Sequence, residues 1–321
     1  MPRLSVIVPC HNVQEFAQDT LRSLANNAGP ATEFILVDDC STDATSDILD
    51  EWGRRLPRAT VIRHEENKGI ARSRNAGIDA ATGDYLTFLD GDDWYGPGYL
   101  DELVACIEGL GCDFVRTDHV QSTGDKRVVR RAPAPVRDKV LDPRDTIAPP
   151  QAETMVDYPF VWAGIYHRDL FADGAMRFAA ELRTAEDRLW TWRLHLRART
   201  FAATGLHGVF YRRGVTTSLT QIRDARQLDF IPAHDALLAD LAADPEGERF
   251  LPKAVRTYCA LLAFHLTNIR RYHAPVARRL KKMVTTALDG MPQDVLETTL
   301  AGMDDKRADM LRRFRTARKA A

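Results

Sequence analysis

Apolar and polar positions alternate between two periods along the first third of the chain. Leu4-Ser5-Val6-Ile7-Val8 is an unbroken β-branched run closed by Pro9, the pattern of a buried strand. Val13, Phe16, Ala17, Leu21 and Leu24 then recur at helical spacing, predicting an amphipathic helix that ends near Asn26-Asn27. Phe34–Val37 reads as a second strand. The next helix has Ile48, Leu49, Trp52 and Leu56 on its apolar face, with Ser41 or Asp43 as its cap. A third strand (Thr60–Ile62), a third helix (Ile70–Ala81, ended by Gly83) and a fourth strand (Tyr85–Leu89) follow. A helix from about Pro97, with Leu100, Leu103, Val104 and Ile107 inward, leads to a strand over Asp113–Thr117.

Strands alternating with helices imply right-handed crossovers and a mainly parallel sheet, so the fold class is α/β with helices on both faces. Ligands of such sheets bind outside the carboxyl ends of the strands. Pro9, Asp38-Asp39 and Asp90–Asp92 all fall there, so distant segments should converge on one crevice. Residues 121–157 lose periodicity and predict a hairpin plus irregular loops. Aromatic density returns at Tyr158–Phe171 and Leu189–Leu196. From about residue 224 the pattern is helical, with breaks expected near Pro252, Pro275 and Pro292. The division expected is a catalytic domain over 1–222 and an α-helical region over 223–321.

Composition narrows the class. At 321 residues, 45% hydrophobic and 28% charged, the chain can bury a sizeable core and is not a disordered one. A net charge of −1 offers no argument for nucleic acid as a partner. Five scattered cysteines without metal spacing read as reduced core thiols, which suits a cytoplasmic protein. No signal peptide is expected, and no apolar run approaches the roughly 18 residues of a membrane span. The basic runs Arg278-Arg279-Leu280-Lys281-Lys282 and Arg312-Arg313-Phe314-Arg315 leave three readings open. They suit solvated faces, peripheral contact with anionic lipid at the inner face of the membrane, or a homodimer.

The chemistry concentrates in carboxylates. Phe88-Leu89-Asp90-Gly91-Asp92-Asp93 crowds three of them after an apolar strand, where each repels the others unless a cation or basic group sits among them. Such hard oxygen ligands suit Mg²⁺ or Mn²⁺ holding a diphosphate, although an isolated acidic turn is commonly just solvated. Its company is Pro9-Cys10-His11-Asn12, Val37-Asp38-Asp39-Cys40-Ser41-Thr42-Asp43, Asn67-Lys68-Gly69 with Arg74-Asn75-Ala76-Gly77, and Glu186-Asp187.

In that order these motifs resemble the inverting glycosyltransferases of family two, over residues 4 to about 222. The resemblance implies the GT-A fold and a nucleotide-diphosphate sugar, UDP-linked, as donor. It implies that Asp39 accepts from the uracil N–H and that Pro9 offers backbone groups to the base. His11 and Asn12 join this pocket, with His11 standing where the family often has Tyr. Asn67, Lys68 and Gly69 would face the nucleotide at a helix N-terminus. Arg74 matches an Ala-Arg-Asn signature, with Ser73 in place of Ala. It would either bind donor oxygens or pair with an internal carboxylate. Asp90 and Gly91 would line the ribose side and Asp92 would ligate Mn²⁺ or Mg²⁺, a role Asp93 could exchange with it. Asp187 would be the general base, Glu186 would touch a glycan or cell-wall acceptor, and Thr184 would cap their helix. Two further elements carry open readings. Trp162 is either a sugar platform or core, beside Gly164 where members often have Lys. Arg212 and Arg213, in the segment Tyr211–Thr220, either close over the diphosphate or sit on an inert hairpin.

Two other classes compete. A nucleotide-sugar binding module would bind UDP without turnover, though it would have no need of Asp187. A sugar nucleotidyltransferase would want a Gly-rich loop after the first strand, and Pro9–Asn12 supplies none.

Overall fold

The computed structural model describes residues 2–214 and 222–315. Strands and helices alternate through β1 (Leu4–Cys10), α1 (Gln14–Asn26), β2 (Thr32–Asp38), α2 (Thr45–Arg55), β3 (Ala59–Arg63), α3 (Ile70–Ala80) and β4 (Tyr85–Phe88). A two-residue strand β5 (Trp94–Tyr95) precedes α4 (Tyr99–Leu110), β6 (Phe114–Thr117) and the hairpin β7 (His119–Thr123) and β8 (Lys126–Arg130). Then come β9 (Gly164–His167), α5 (Glu186–Arg197), β10 (Phe201–Thr204) and β11 (Val209–Arg212). The chain continues helical through α6 (Phe230–Ala243), α7 (Gly247–Thr267), α8 (Ala274–Gly290), α9 (Gln293–Ala301) and α10 (Asp305–Arg312).

The main sheet has the order β10-β6-β9-β4-β1-β2-β3. It is parallel throughout except for β9, which runs against both β4 and β6. All seven residues of β1 are buried, as expected of a central strand covered on both faces. A smaller sheet, β5-β11-β7-β8, stands beside the exit of β4.

Close packing at one glycine fixes how the helix carrying Arg74 lies on the sheet. A Cβ at Gly77 would stand 2.2 Å from the Ile7 Cγ2 of β1, and Ile7 is fully buried. Gly77→Ala is therefore expected to cost about 1–3 kcal/mol by overpacking. Calorimetry checks this, and an unchanged melting temperature would show slack between α3 and β1. Gly164 is closed in the same way: a Cβ there would lie 2.4 Å from the Val115 carbonyl oxygen. A side chain longer than hydrogen would therefore meet the neighbouring strand at this position.

Most of α5 is buried, Leu189–Trp192 and Leu194–Leu196 included, while Asp187, Arg188 and Arg193 stay partly exposed. Trp190 and Leu194 enter the core of the main sheet. Leu189, Trp192 and Leu196 pack instead with Ala233, Leu237, Leu241 and Phe250 of α6 and α7. The C-terminal helices are thereby joined to the very helix that begins with Glu186-Asp187. The break expected at Pro252 does not occur. Pro252 sits inside α7 just beyond its first turn, and the carbonyl it deprives of a partner belongs to exposed Glu248. α8 starts at Ala274 with Pro275 in its first turn, and α9 follows Pro292. On α8, Leu280 and Val284 are buried while Arg278, Arg279, Lys281 and Lys282 are exposed. Its apolar stripe is used internally, so any lipid contact there would rest on charge alone. No helix among the described residues is long and apolar enough to cross a membrane.

Candidate active site

The strand exits converge through direct contacts. The Asp39 amide donates to the Cys10 carbonyl at 2.9 Å, joining the end of β2 to the end of β1. Gly91 is buried under the same corner: a Cβ would lie 2.8 Å from the Cys10 Sγ and 3.1 Å from the Pro9 carbonyl oxygen. The Thr20 hydroxyl of α1 reaches the Gly91 and Asp93 carbonyls at 2.9 and 2.7 Å and holds the acidic turn from beneath. Beside it, Asn12 takes a left-handed φ of 51°, which Asn tolerates. Its side-chain oxygen accepts from the Thr42 amide, its own amide donates to the Ser41 Oγ, and exposed His11 lies 3.3 Å from its Nδ2. Asp43, rather than Ser41, serves the start of α2, accepting from the Thr45 amide at 2.9 Å.

Asp39 is buried and organises the next loop. Its carboxylate accepts from the Lys68 and Gly69 amides at 2.8 and 2.7 Å and lies 2.7 Å from the His64 Nδ1. Gly69 has φ +88°, and a Cβ there would strike the Arg183 guanidinium at 2.8 Å. Arg183 in turn donates to the Asn67 carbonyl and side-chain oxygens. The loop Asn67–Gly69 is thus held between Asp39 and the segment leading to Glu186.

Arg74 takes the internal of its two expected positions. It is 3% exposed, and its guanidinium donates to Asp90 Oδ1 at 2.9 Å and Glu186 Oε1 at 2.7 Å. Glu186, expected at the acceptor, is 5% exposed and has its Oε1 on Arg74. Asp187, the next residue, is half-buried and accepts from the Arg188 amide. Burial pushes both carboxyls above their ordinary range, with repulsion from Asp187 adding to the effect on Glu186.

Thr184 does not cap α5. The residue before the helix is Ala185 with φ +60°, a conformation costing a residue with a Cβ roughly 1–2 kcal/mol. Asp229, from the C-terminal helical region, holds this turn. Its Oδ2 accepts from the Arg183 and Thr184 amides, while the Thr184 hydroxyl donates to the Arg226 carbonyl at 2.6 Å. Asp229, Arg183 and Thr20 carry no motif and were not foreseen as site residues.

In the acidic cluster, burial and then repulsion from Asp90 push Asp92 up to about 6. Asp93 is fully buried and also raised, with Oδ1 accepting from the Arg212 amide at 2.7 Å and Oδ2 lacking a partner among the described residues. Arg212 is fixed in place: its Nε donates to the Asp92 carbonyl, and its guanidinium lies 4.8 Å from the Phe16 ring and 4.6 Å from the Trp94 ring. In this position it braces the acidic turn. Arg213 is exposed and donates to the Tyr211 hydroxyl. The rest of that segment, Val215–Thr220, lies outside the described residues. Trp162, 4% exposed, is core, packed 5.0 Å from Phe160 and 5.1 Å from Tyr211 between ring centroids.

Among the described residues no three Asp, Glu, His or Cys side chains gather closely enough to enclose a metal ion alone. What the site offers is Asp92, half-buried, repelled by Asp90 and without a side-chain donor among the described residues. That donor set fits a cation which keeps waters and takes its remaining ligands from a phosphate.

Residues 5–172 match the model of glycosyl transferase family 2. The chain belongs to that family. Among its relatives, the "Uncharacterized glycosyltransferase EpsJ" of Bacillus subtilis (strain 168) is 30% identical over 187 residues, 58% of this chain and 54% of that protein. The "Poly(ribitol-phosphate) beta-N-acetylglucosaminyltransferase TarS" of Staphylococcus aureus (strain MW2) is 28% identical over 215 residues, 66% of this chain and 35% of TarS. The chain spans about half the length of the first curated relatives it matches. The crystal structure of S. aureus TarS 1–349 in complex with UDP-GlcNAc superposes with a TM-score of 0.75 at 20% identity. That likeness covers 98% of this chain and 93% of the other and is one of fold, GT-A in both.

Proposed function

We propose that this family 2 chain transfers a sugar from a UDP-linked donor to a hydroxyl of a glycan or cell-wall polymer, inverting the anomeric centre. One observation carries the reading. Arg74 contacts both Asp90 of the acidic turn and Glu186 beside Asp187, so the carboxylates needed for leaving group and acceptor are brought together around one guanidinium. The UDP-GlcNAc complex of TarS supports a UDP-sugar as the donor class.

In this reading the uracil lies over the ends of β1 and β2, where Pro9, His11, Asn12 and Asp39 meet. Asp39, with Asn67–Gly69 docked on it, would take the base N–H on a free lone pair. Asp90 and Gly91 border the ribose. A Mn²⁺ or Mg²⁺ ion on Asp92 and the diphosphate would neutralise charge on the departing UDP. Asp187 takes the proton of the acceptor hydroxyl. The oxygen attacks the anomeric carbon from the face opposite UDP, a new C–O bond forms, and the bond to the diphosphate oxygen breaks. Burial holds the Asp187 carboxyl above the ordinary Asp range, nearer the working pH of a base.

Thermal shift with a panel of nucleotide sugars, with and without Mn²⁺, tests the assignment. A UDP-sugar at a hundredfold excess over its Kd is expected to stabilise the protein by about 2.7 kcal/mol, with a larger effect when Mn²⁺ is present. GDP- and CMP-sugars are expected to give no shift. Absence of a response to any UDP-sugar overturns the reading.

A further inference from the structure

Arg74 joins two parts of the site that the chain supplies from distant positions. One guanidinium nitrogen is on Asp90 at the exit of β4, and the other is on Glu186 at the first turn of α5. We propose that Arg74 is a positioning residue, a strut that sets where Asp187 stands relative to the donor. The proposal rests on Asp187 being the base in the reaction above.

The geometry supports a strut over a phosphate contact. A guanidinium is planar and rigid, so bonds from its two terminal nitrogens to separate carboxylates fix the spacing between them, as an ammonium on a flexible stem cannot. The group is buried and lies 5.3 Å from the Phe178 ring. Its Nε is buried without a partner among the described residues, a cost accepted where Asp90 and Glu186 dictate the fork direction.

The neighbouring contacts run the same way. The Asn75 side chain and the Phe178 backbone exchange two hydrogen bonds of 2.9 Å, and the Arg72 Nε donates to the Ala180 carbonyl at 3.3 Å. Arg183 reaches back to Asn67. α3 and the loop before it thus grip the chain from Phe178 to Glu186. Since Asp39 holds that same loop, the pocket read as the donor site and the first turn of α5 form one mechanical unit. Removing the strut releases the first turn of α5 and takes one partner from Asp90, while the Asp39 contacts to Lys68 and Gly69 stay in place.

Steady-state kinetics and UDP calorimetry on the full chain test this with Arg74→Met, Arg74→Lys, Glu186→Gln and the Arg74→Met/Glu186→Gln double variant. Arg74→Met is expected to lower kcat by ~10²-fold through misplacement of the base. Donor KM and UDP affinity should change by less than about threefold, the signature of an interaction made only on the way to the transition state. Arg74→Lys keeps the charge but not the span, and should fall between wild type and Arg74→Met. The double variant should regain part of the lost kcat, because neutral Gln no longer leaves an unpaired buried charge. If Arg74→Met fails to fold, Arg74→Lys carries the same kcat-against-KM test. A rise in UDP Kd with kcat intact would make Arg74 a donor contact and overturn the strut. Unchanged kinetics, or a double variant no better than Arg74→Met, overturns it as well. Lack of wild-type turnover with any UDP-sugar removes the transfer reading itself, and the strut with it.

Discussion

Asp187→Asn is expected to lower turnover by ~10³-fold or more while leaving UDP affinity nearly unchanged, since a positioned base supplies roughly 10²–10⁴-fold. The substitution keeps the shape of the side chain and an oxygen for the Arg188 amide, which now bonds Asp187 Oδ1 at 2.8 Å. It removes the ability to take a proton and, with the charge, the repulsion on Glu186. The pH profile adds a second readout. Burial raises the Asp187 carboxyl above the ordinary Asp value of 3.8, and a base works when ionised. Wild-type kcat/KM should therefore climb with pH along an acidic limb centred above 3.8, and the variant should lose that limb. Turnover retained in Asp187→Asn would end its assignment as base. Loss of UDP binding would instead show that the residue shapes the donor pocket.

The parallel half of the fold was legible because each of its elements is long enough to show a period. β1, β2 and the helices between them announce themselves by runs and by spacing three and four. β9 and β10 did not. Each is four residues long and almost wholly buried, so there is no alternation to read, and short apolar runs fit a helix core equally well. β9 also reverses direction within an otherwise parallel sheet, which no local pattern in Gly164–His167 encodes. Pro252 misled for a related reason. A proline predicts a break from its own geometry, yet near a helix start the lost hydrogen bond is a single exposed one.

In the site, the carboxylates were legible and their partners were not. Acidic residues clustered at strand exits stand out because they break an apolar run. The direction of a long cation does not stand out. Whether Arg74 faces a phosphate or Glu186 depends on how α3 and α5 pack, which Gly77 and the burial of α5 decide at a distance. Arg212 likewise carried two readings, a closing arm or an inert hairpin, because its contacts with the Phe16 and Trp94 rings come from packing that no local pattern encodes. Asp229 had no motif at all. Its role exists only because the C-terminal helices return to the start of α5 and accept from the amides ahead of Ala185.

Asp92→Asn should separate function from stability more sharply than any other change. The variant keeps the size of the side chain and loses the negative charge that would hold Mn²⁺ against the diphosphate. Turnover is expected to fall by ~10³-fold or more, because charge on the leaving group then develops without Lewis-acid help worth several kcal/mol. UDP binding measured with and without Mn²⁺ should differ in the wild type and coincide in the variant, matching wild-type protein treated with EDTA. The folded protein should not suffer. Asp92 is pushed up to about 6, above the 3.8 of a free Asp, so the folded state resists its ionisation. The stability this group contributes is full below 3.8 and is lost as pH rises through 6. At pH 7.5, without metal, a neutral amide escapes that loss and the repulsion from Asp90, and the variant should melt no lower than wild type. A variant that melts well below the metal-free wild type would show that the Asp92 carboxylate holds the turn together. Mn²⁺-dependent UDP binding that survives the substitution would move the ion to another ligand.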